Sequence, residues 1–151
     1  MRVRPATPGD VRRIAEVITA VGWQRDGEAD PPESRWREIV ADVDWWIVVA
    51  DDGKEPVGVA TVKPADDAPG TGHITYLVVA PESAGQGVGR ALLDAAADEM
   101  RRRGYERAHL HVGVANAHAR RFYERNGWLD TGRREFNEEF GFDLADYELL
   151  L

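Results

Sequence analysis

Between Leu77 and Arg103 the chain reads LVVAPESAGQGVGRALLDAAADEMRRR: an apolar run, a proline, glycines at 85, 87 and 89, then an amphipathic stretch. Glycines two apart where a strand hands over to a helix let successive backbone N–H groups converge, with the positive end of the helix dipole behind them. The chemistry this supports is binding of an anion, most often a phosphate. A nucleotide-hydrolase P-loop needs Lys and then Ser or Thr after its last glycine, whereas Gly89 is followed by Arg90 and Ala91. The dinucleotide fingerprint Gly-x-Gly-x-x-Gly finds Gly85 and Gly87 but meets Arg90 at its third place. His109 and His111 sit two apart and can face one way on a strand as metal ligands. No carboxylate or third histidine accompanies them at a recognisable spacing, so no metal is expected. The chain has no cysteine, which removes disulfides, thiolate metal sites and thiol nucleophiles.

These residues need a scaffold, and the chain supplies one in order. Val3 opens a short strand. Thr7-Pro8-Gly9-Asp10 is a helix start, with Thr7 as N-cap, Pro8 at the first helical position and Asp10 completing a capping box. Val11, Ile14, Ala15, Ile18 and Val21 recur at three and four residues, and Gly22 is placed to end that helix. Trp23 to Ser34, with Asp26, Glu28, Asp30 and Pro31-Pro32, reads as an acidic loop before a second helix marked by Trp36, Ile39, Val40 and Val43. Trp45 to Ala50 and Val57 to Val62 form an antiparallel hairpin, Asp66 to Gly72 is a turn cluster, and His73 to Val79 is a third strand.

Gly104 stops the helix that follows the glycine loop. Arg107 to Val114 is then a strand parallel to the one ending at Val79, because a helix connects them. Asn116 as cap and Gly127 as stop frame a helix with Ala119, Phe122 and Tyr123 on one stripe. Strands near Trp128 to Arg133 and Asp143 to Leu150, separated by a loop over Glu135 to Gly141, close the chain. The expected class is α/β with a mixed sheet and helices on both faces, a single domain over residues 1–151. Ligands on such sheets bind beyond the carboxyl ends of parallel strands.

Composition narrows the function. The 151 residues, 43% hydrophobic and 30% charged, are those of an ordinary globular protein, and no apolar run approaches the ~20 residues of a membrane span. The start Met1-Arg2-Val3-Arg4 lacks a signal peptide's apolar segment, so a cytoplasmic location and no membrane partner are expected. A net charge of −8 argues against a nucleic-acid partner and favours cationic ones. Arginine and alanine are abundant while Lys54 and Lys63 are the only lysines, the usage of a GC-rich bacterial gene.

Leu77, Val79 and Pro81 followed by Ala84-Gly85-Gln86-Gly87-Val88-Gly89 resemble the acetyl-CoA loop of the GNAT superfamily of N-acetyltransferases, Leu-x-Val-x-Pro leading into Arg/Gln-x-x-Gly-x-Gly/Ala. Ala84 departs from the pattern and removes a side-chain contact to the pyrophosphate while keeping the backbone cradle. A shifted frame, Gln86-x-x-Gly89-x-Ala91, also fits, although the spacing from Pro81 favours the first. Asn116-x-x-Ala119-x-x-Phe122-Tyr123-Glu124-x-x-Gly127-Trp128 resembles the family's second signature, with Trp128 for its usual Phe.

The resemblance implies a GNAT acyl-CoA N-acyltransferase fold: a mostly antiparallel sheet with one splayed parallel pair. It implies acetyl-CoA as acyl donor, direct transfer to a primary amine, small or peptidyl, and no metal. Leu77, Val78 and Val79 would meet the pantetheine arm; Ala84, Gly85, Gln86, Gly87, Val88, Gly89 and Arg90 the pyrophosphate; and Asn116, Ala119 and Phe122 would complete the cofactor half. Tyr123 aligns with the tyrosine that protonates the departing thiolate. The family places a base on the strand before the loop, which puts His73 in that role, with Thr75, His111, Glu82 or water as alternatives. The acidic loop would be a lid over the acceptor, Trp23, Trp45 and Trp46 an aromatic wall, and Arg120 and Arg121 cofactor-steering charges. A homodimer is compatible with the resemblance. Two rivals stay open, a non-catalytic acyl-CoA sensor and a transferase using a longer acyl donor.

Overall fold

The computed structural model describes residues 1–21, 31–138 and 141–151. Strands β1 (Arg2–Pro5), β2 (Trp46–Asp51), β3 (Pro56–Pro64), β4 (Thr71–Val79), β5 (Arg107–Gly113), β6 (Leu129–Asn137) and β7 (Phe142–Leu150) form a sheet of order β1-β2-β3-β4-β5-β7-β6. Every neighbouring pair is antiparallel except β4 and β5, which are parallel as the connecting helix demands. The helices are α1 (Val11–Val21), α2 (Glu33–Ala41), α3 (Val88–Arg102) and α4 (Ala117–Arg125). No helix among the described residues is long and apolar enough to cross a membrane.

A bulge in β4 decides which way the site residues point. Thr61 pairs with Tyr76 and Val62 with Ile74, so Thr75 is extra, and the Tyr76 N–H donates to the Thr61 hydroxyl at 2.9 Å. An extra residue reverses the alternation of side chains and bends the strand. Tyr76 therefore meets Trp36 of α2 on one face, ring centroids 5.2 Å apart. Gly72, of the same parity, lies under α3, where an added Cβ would stand 2.6 Å from Met100 Sδ. His73 is thus turned to the face opposite α3. The same bend parts β4 from β5: only Thr71, Gly72 and His73 pair, with Arg107, Ala108 and His109. Beyond them β4 stays with β3 as far as Val79, while β5 stays with β7 as far as Gly113.

Two buried clusters hold the frame. Ile14 and Ile18 of α1, Trp36 of α2 and Val49 and Val59 of the hairpin make one; Leu93, Ala96 and Met100 of α3 pack with Ala108, Leu110 and Val112 of β5 and with Trp128 in the other. The capping box forms as its residues require. The Asp10 carboxylate accepts from the Thr7 N–H at 2.8 Å and from Arg4 at 2.7 and 2.9 Å, and Arg4 also reaches Asp51.

Several boundaries differ from the sequence reading. β4 begins at Thr71, inside the expected turn cluster. α2 begins at Glu33 and ends at Ala41, leaving Val43 beyond it and 89% exposed. Trp128, expected to open a strand, is buried ahead of β6, and β6 runs through Glu135 to Asn137 where a loop was expected. As the sheet's last strand β6 is largely exposed on both faces, so no hydrophobic alternation marks it. Gly22, Trp23, Asp26, Glu28 and Asp30, and so most of the acidic loop, lie outside the described residues.

Candidate functional site

The glycine loop has the conformation its composition demands. Gly85 and Gly87 adopt φ of 77° and 80°, and Gly87 is the N-cap of α3. An added Cβ at either would meet nothing within 4 Å, so the left-handed backbone, and not crowding, selects glycine, and the space before the loop is open. The first N–H groups of α3 have no intrahelical acceptor and face that space with the helix dipole behind them. Val88 is buried, against the position of Gly58, so only its backbone can serve a ligand. At Gly89 an added Cβ would make ordinary contact with the Phe122 ring, 3.5 Å away, so the start of α3 lies beside α4. Ala84, Gln86 and Arg90 are exposed.

Where β4 and β5 part, a cleft of about 950 Å³ opens, lined by Leu77, Val78 and Val79 on one side, by His111 and Val112 on the other, and by Asn116, Ala119 and Tyr123 of the second motif. The Val78 side chain is in the core, so its backbone is what the cleft meets. Asn116 caps α4 by accepting from the Ala119 N–H at 3.1 Å. Tyr123 packs among the rings of Phe122, Trp128 and Tyr147, and this burial pushes its phenol up to about 12.

On the face opposite α3, three histidines converge. His73 is level with His109 on the parallel pair, and their Nδ1 atoms lie 3.1 Å apart. His111 is two residues along β5, its ring centroid 4.7 Å from that of His109 and 5.5 Å from that of His73. Asp146 of β7 pairs with His111 in register; its buried carboxylate contacts His109 Nε2 and stands 3.7 Å from His111 Nε2 through Oδ1. Its Oδ2 accepts from Thr131 at 2.7 Å and faces Arg133 Nε at 3.2 Å. Burial, then the neighbouring imidazoles, pushes His73 down from 6.5 to about 4, and burial pushes His111 down as well. His111 also lines a second hollow, of about 660 Å³, with His109 and Asp146. Among the described residues it is the side chain common to both cavities.

A cleft between diverging parallel strands, an open glycine loop at the start of α3 and an imidazole in the cleft wall are the features this fold brings together. Residues 10–128 match the Acetyltransferase (GNAT) family. The chain belongs to that family. It is similar to the mycothiol acetyltransferase of Beutenbergia cavernae, 42% identical over 83 residues, which are 55% of this chain and 27% of that protein. The mycothiol acetyltransferase of Propionibacterium freudenreichii subsp. shermanii is 40% identical over 91 residues, 56% and 29% of the two chains. The matches thus span under a third of the length of these curated relatives.

Among solved structures, the ribosomal-protein-alanine N-acetyltransferase of Brucella melitensis superposes with a TM-score of 0.86 over 100% of both chains at 21% identity. The paia N-acetyltransferase of Thermoplasma acidophilum, in complex with coenzyme A, gives 0.79 over 99% and 98% at 18% identity. At these identities the likeness is one of fold, and the GNAT fold expected from the two motifs is the one this chain has.

Within this GNAT domain the expected site residues separate. Leu77, Val78, Val79, Asn116, Ala119 and Tyr123 meet in the cleft; Gly85, Gly87 and Gly89 shape the loop; Phe122 supports it. His73 is not among the residues lining the cleft, whereas His111 is. Glu82 lies outside the cleft lining and pairs with Arg13 at 3.3 Å. Arg120 is committed within the fold, donating to the Tyr147 hydroxyl, the Val114 carbonyl and Asp130 at 3.0 to 3.1 Å. Arg121 donates to the Ala117 carbonyl. Trp45 and Trp46 do not line the cleft; Trp45 carries the Lys63 ammonium 5.5 Å over its ring. The sequence reading missed Asp146. Its only signal is that it is a buried-strand acid in the apolar run Phe142 to Leu150, and its partners come from other strands.

Proposed function

We propose that this GNAT domain, spanning residues 1–151, moves an acetyl group from acetyl-CoA directly to a primary amine. The observation that carries the reading is the parting of β4 and β5 after the His73–His109 rung, which leaves a cleft with Tyr123 at one wall and His111 at the other. Backbone groups of Leu77 to Val79 on the cleft side have lost their β5 partners and are open to an amide-bearing arm. The α3 start and its glycines receive the pyrophosphate, and the open space before Gly85 and Gly87 fits that group. Ala84 adds no side-chain contact there.

The reaction needs a neutral amine, whose nitrogen bonds to the thioester carbonyl carbon as the C–S bond breaks. The departing sulfur takes the Tyr123 proton, which burial keeps on the phenol. The proton lost by the amine passes to an imidazole of the histidine cluster, entered at His111, the member that faces the cleft, with His73 and His109 behind it. The hollow shared by His109, His111 and Asp146, with Asp67, Glu135 and Glu148 also in its wall, is where the acceptor approaches. The wall also carries Arg107, Arg133 and Arg134, with Arg107 paired to Glu148 and Arg133 to Asp146, so the hollow is of mixed charge, and the preference for a cationic amine rests on the net charge of −8.

The test is free-CoA release from acetyl-CoA, read with a thiol-reactive reporter across polyamines, aminoglycosides, amino acids, peptides with free N-termini and the amine acceptor of the mycothiol acetyltransferases. The chain, lacking cysteine, is silent in that assay. Release with one amine class, lost in Tyr123→Phe, is the expected result. Acetyl-CoA binding without release under any amine, and with succinyl-CoA equally inert, would make the domain a sensor.

A further inference from the structure

We propose that His73, His109 and His111 form a binding site for a divalent transition-metal ion of the zinc class, with Asp146 as the carboxylate that orients His109. Each of the three side chains offers a nitrogen, and these atoms all lie within 4.8 Å of one another. Ligand nitrogens of a tetrahedral zinc site, each about 2.0–2.1 Å from the ion, stand ~3.4 Å apart. The His73 and His109 Nδ1 atoms, at 3.1 Å, are already near that separation, and small rotations of partly exposed His111 close the set.

Backbone register makes the constellation rigid. His73 faces His109 across the parallel rung, His111 follows two residues later on the same face, and His111 faces Asp146 across the antiparallel rung. Three ligands therefore come from adjacent strands of one sheet and not from loops. Asp146 supplies what a metal-bound imidazole takes from its surroundings: a buried carboxylate against the second ring nitrogen, which fixes the tautomer and raises the basicity of the other. Its Oδ1 faces the edges of the His109 and His111 imidazoles. Arg133 is turned to the other oxygen. The 660 Å³ hollow beside His109 and His111 gives the ion an entry path and room for a water at a fourth position. Proton removal from an amine needs one imidazole; three convergent ones with a supporting carboxylate form the set that a His₃ zinc site uses.

The ion would take the lone pair of His111 assigned above to the amine proton, so saturating zinc is expected to slow transfer. That consequence rests on the proposed reaction, whereas the binding itself does not. Chelator-stripped wild-type protein is titrated with Co²⁺ in the absence of acetyl-CoA and amine, then with Zn²⁺ as competitor. The expected result is the intense visible ligand-field absorption of four-coordinate Co²⁺, saturating at one ion per chain and displaced by zinc. His109→Gln should weaken binding at least about tenfold.

Histidine nitrogen NMR of the unaltered protein makes the test independent of variant folding. Zinc should shift three imidazoles and leave His118, the fourth histidine of the chain, where it was. The proposal is overturned if stripped protein develops no ligand-field band and retains no zinc through gel filtration, or if the ion shifts His118 and spares the cluster. Failure of the amine assay leaves the metal titration untouched, and failure of the titration leaves the transfer reaction untouched.

Discussion

The Nδ1 atoms of His73 and His109 lie 3.1 Å apart across the last rung that joins β4 to β5. Two nitrogens at that distance share one proton, and the contact of His109 Nε2 with the Asp146 carboxylate assigns it. Donation from His109 Nε2 to that carboxylate leaves the His109 Nδ1 lone pair turned toward His73. The rung where the sheet opens is thus also where its polar chemistry gathers. One residue further along both strands, the backbones separate into the cleft.

Tyr123→Phe removes the proton donor of the proposed reaction while keeping the ring contacts with Phe122, Trp128 and Tyr147. With the phenol held at about 12, the donor stays protonated throughout the range of ordinary assays. The expected loss is about 10²–10⁴-fold in kcat. The KM for acetyl-CoA and the melting temperature should stay near wild type. Steady-state kinetics beside thermal melts checks both.

Gly58→Ala tests the packing that seats the loop from below. Its Cβ would lie 2.8 Å from Leu92 Cδ1, 2.9 Å from Val88 Cγ1 and 3.2 Å from the Val78 carbonyl oxygen, so the α3 side chains facing β3 must give way. Overpacking of this kind costs about 1–3 kcal/mol. Because Val88 is the first residue of α3, CoA affinity should fall together with stability; denaturant melts and calorimetric CoA titration read the two.

The acid limb of stability should carry the signature of Asp10. Hydrogen bonds from Arg4, ahead of the Thr7 N–H, hold this carboxylate at about 2 against an ordinary 3.8. A depressed folded-state value stabilises the protein above pH 3.8, and that contribution is lost as pH falls from 3.8 through about 2. Asp10→Ala should lower stability at neutral pH by about 1–2 kcal/mol, the worth of a cap. It should also flatten the pH dependence of the melting temperature in that window; an unchanged acid limb would show that other carboxylates set it.

Ala84→Arg restores the side chain usual at the head of the acetyl-CoA loop. The position is exposed beside left-handed Gly85, so the longer chain meets no crowding. One charge-assisted contact to a phosphate should tighten CoA binding by about tenfold. If Gln86→Ala weakens binding and Ala84→Arg does nothing, the shifted frame Gln86-x-x-Gly89 is the operative one.

The sequence by itself determined the glycine loop and the elements that frame it. Positive φ at Gly85 and Gly87, the Asn116 cap, the Thr7–Asp10 helix start and the parallel β4–β5 pair all follow from local backbone preference or from chain connectivity, which neighbouring residues carry. Only the tertiary structure decided the histidine cluster. The Thr75 bulge turns His73 away from α3, and strand register sets it level with His109 from 36 residues away. Asp146 reaches His111 only through the β5–β7 pairing. His109 and His111 lacked a third ligand at any sequence spacing because the third histidine and the carboxylate are neighbours in the sheet, and a sheet's neighbours are fixed by register across strands, which no local pattern encodes. Arg120 shows the converse: a charge that looked free to steer a phosphate is held by Tyr147 and Asp130, partners that only the folded chain brings to it.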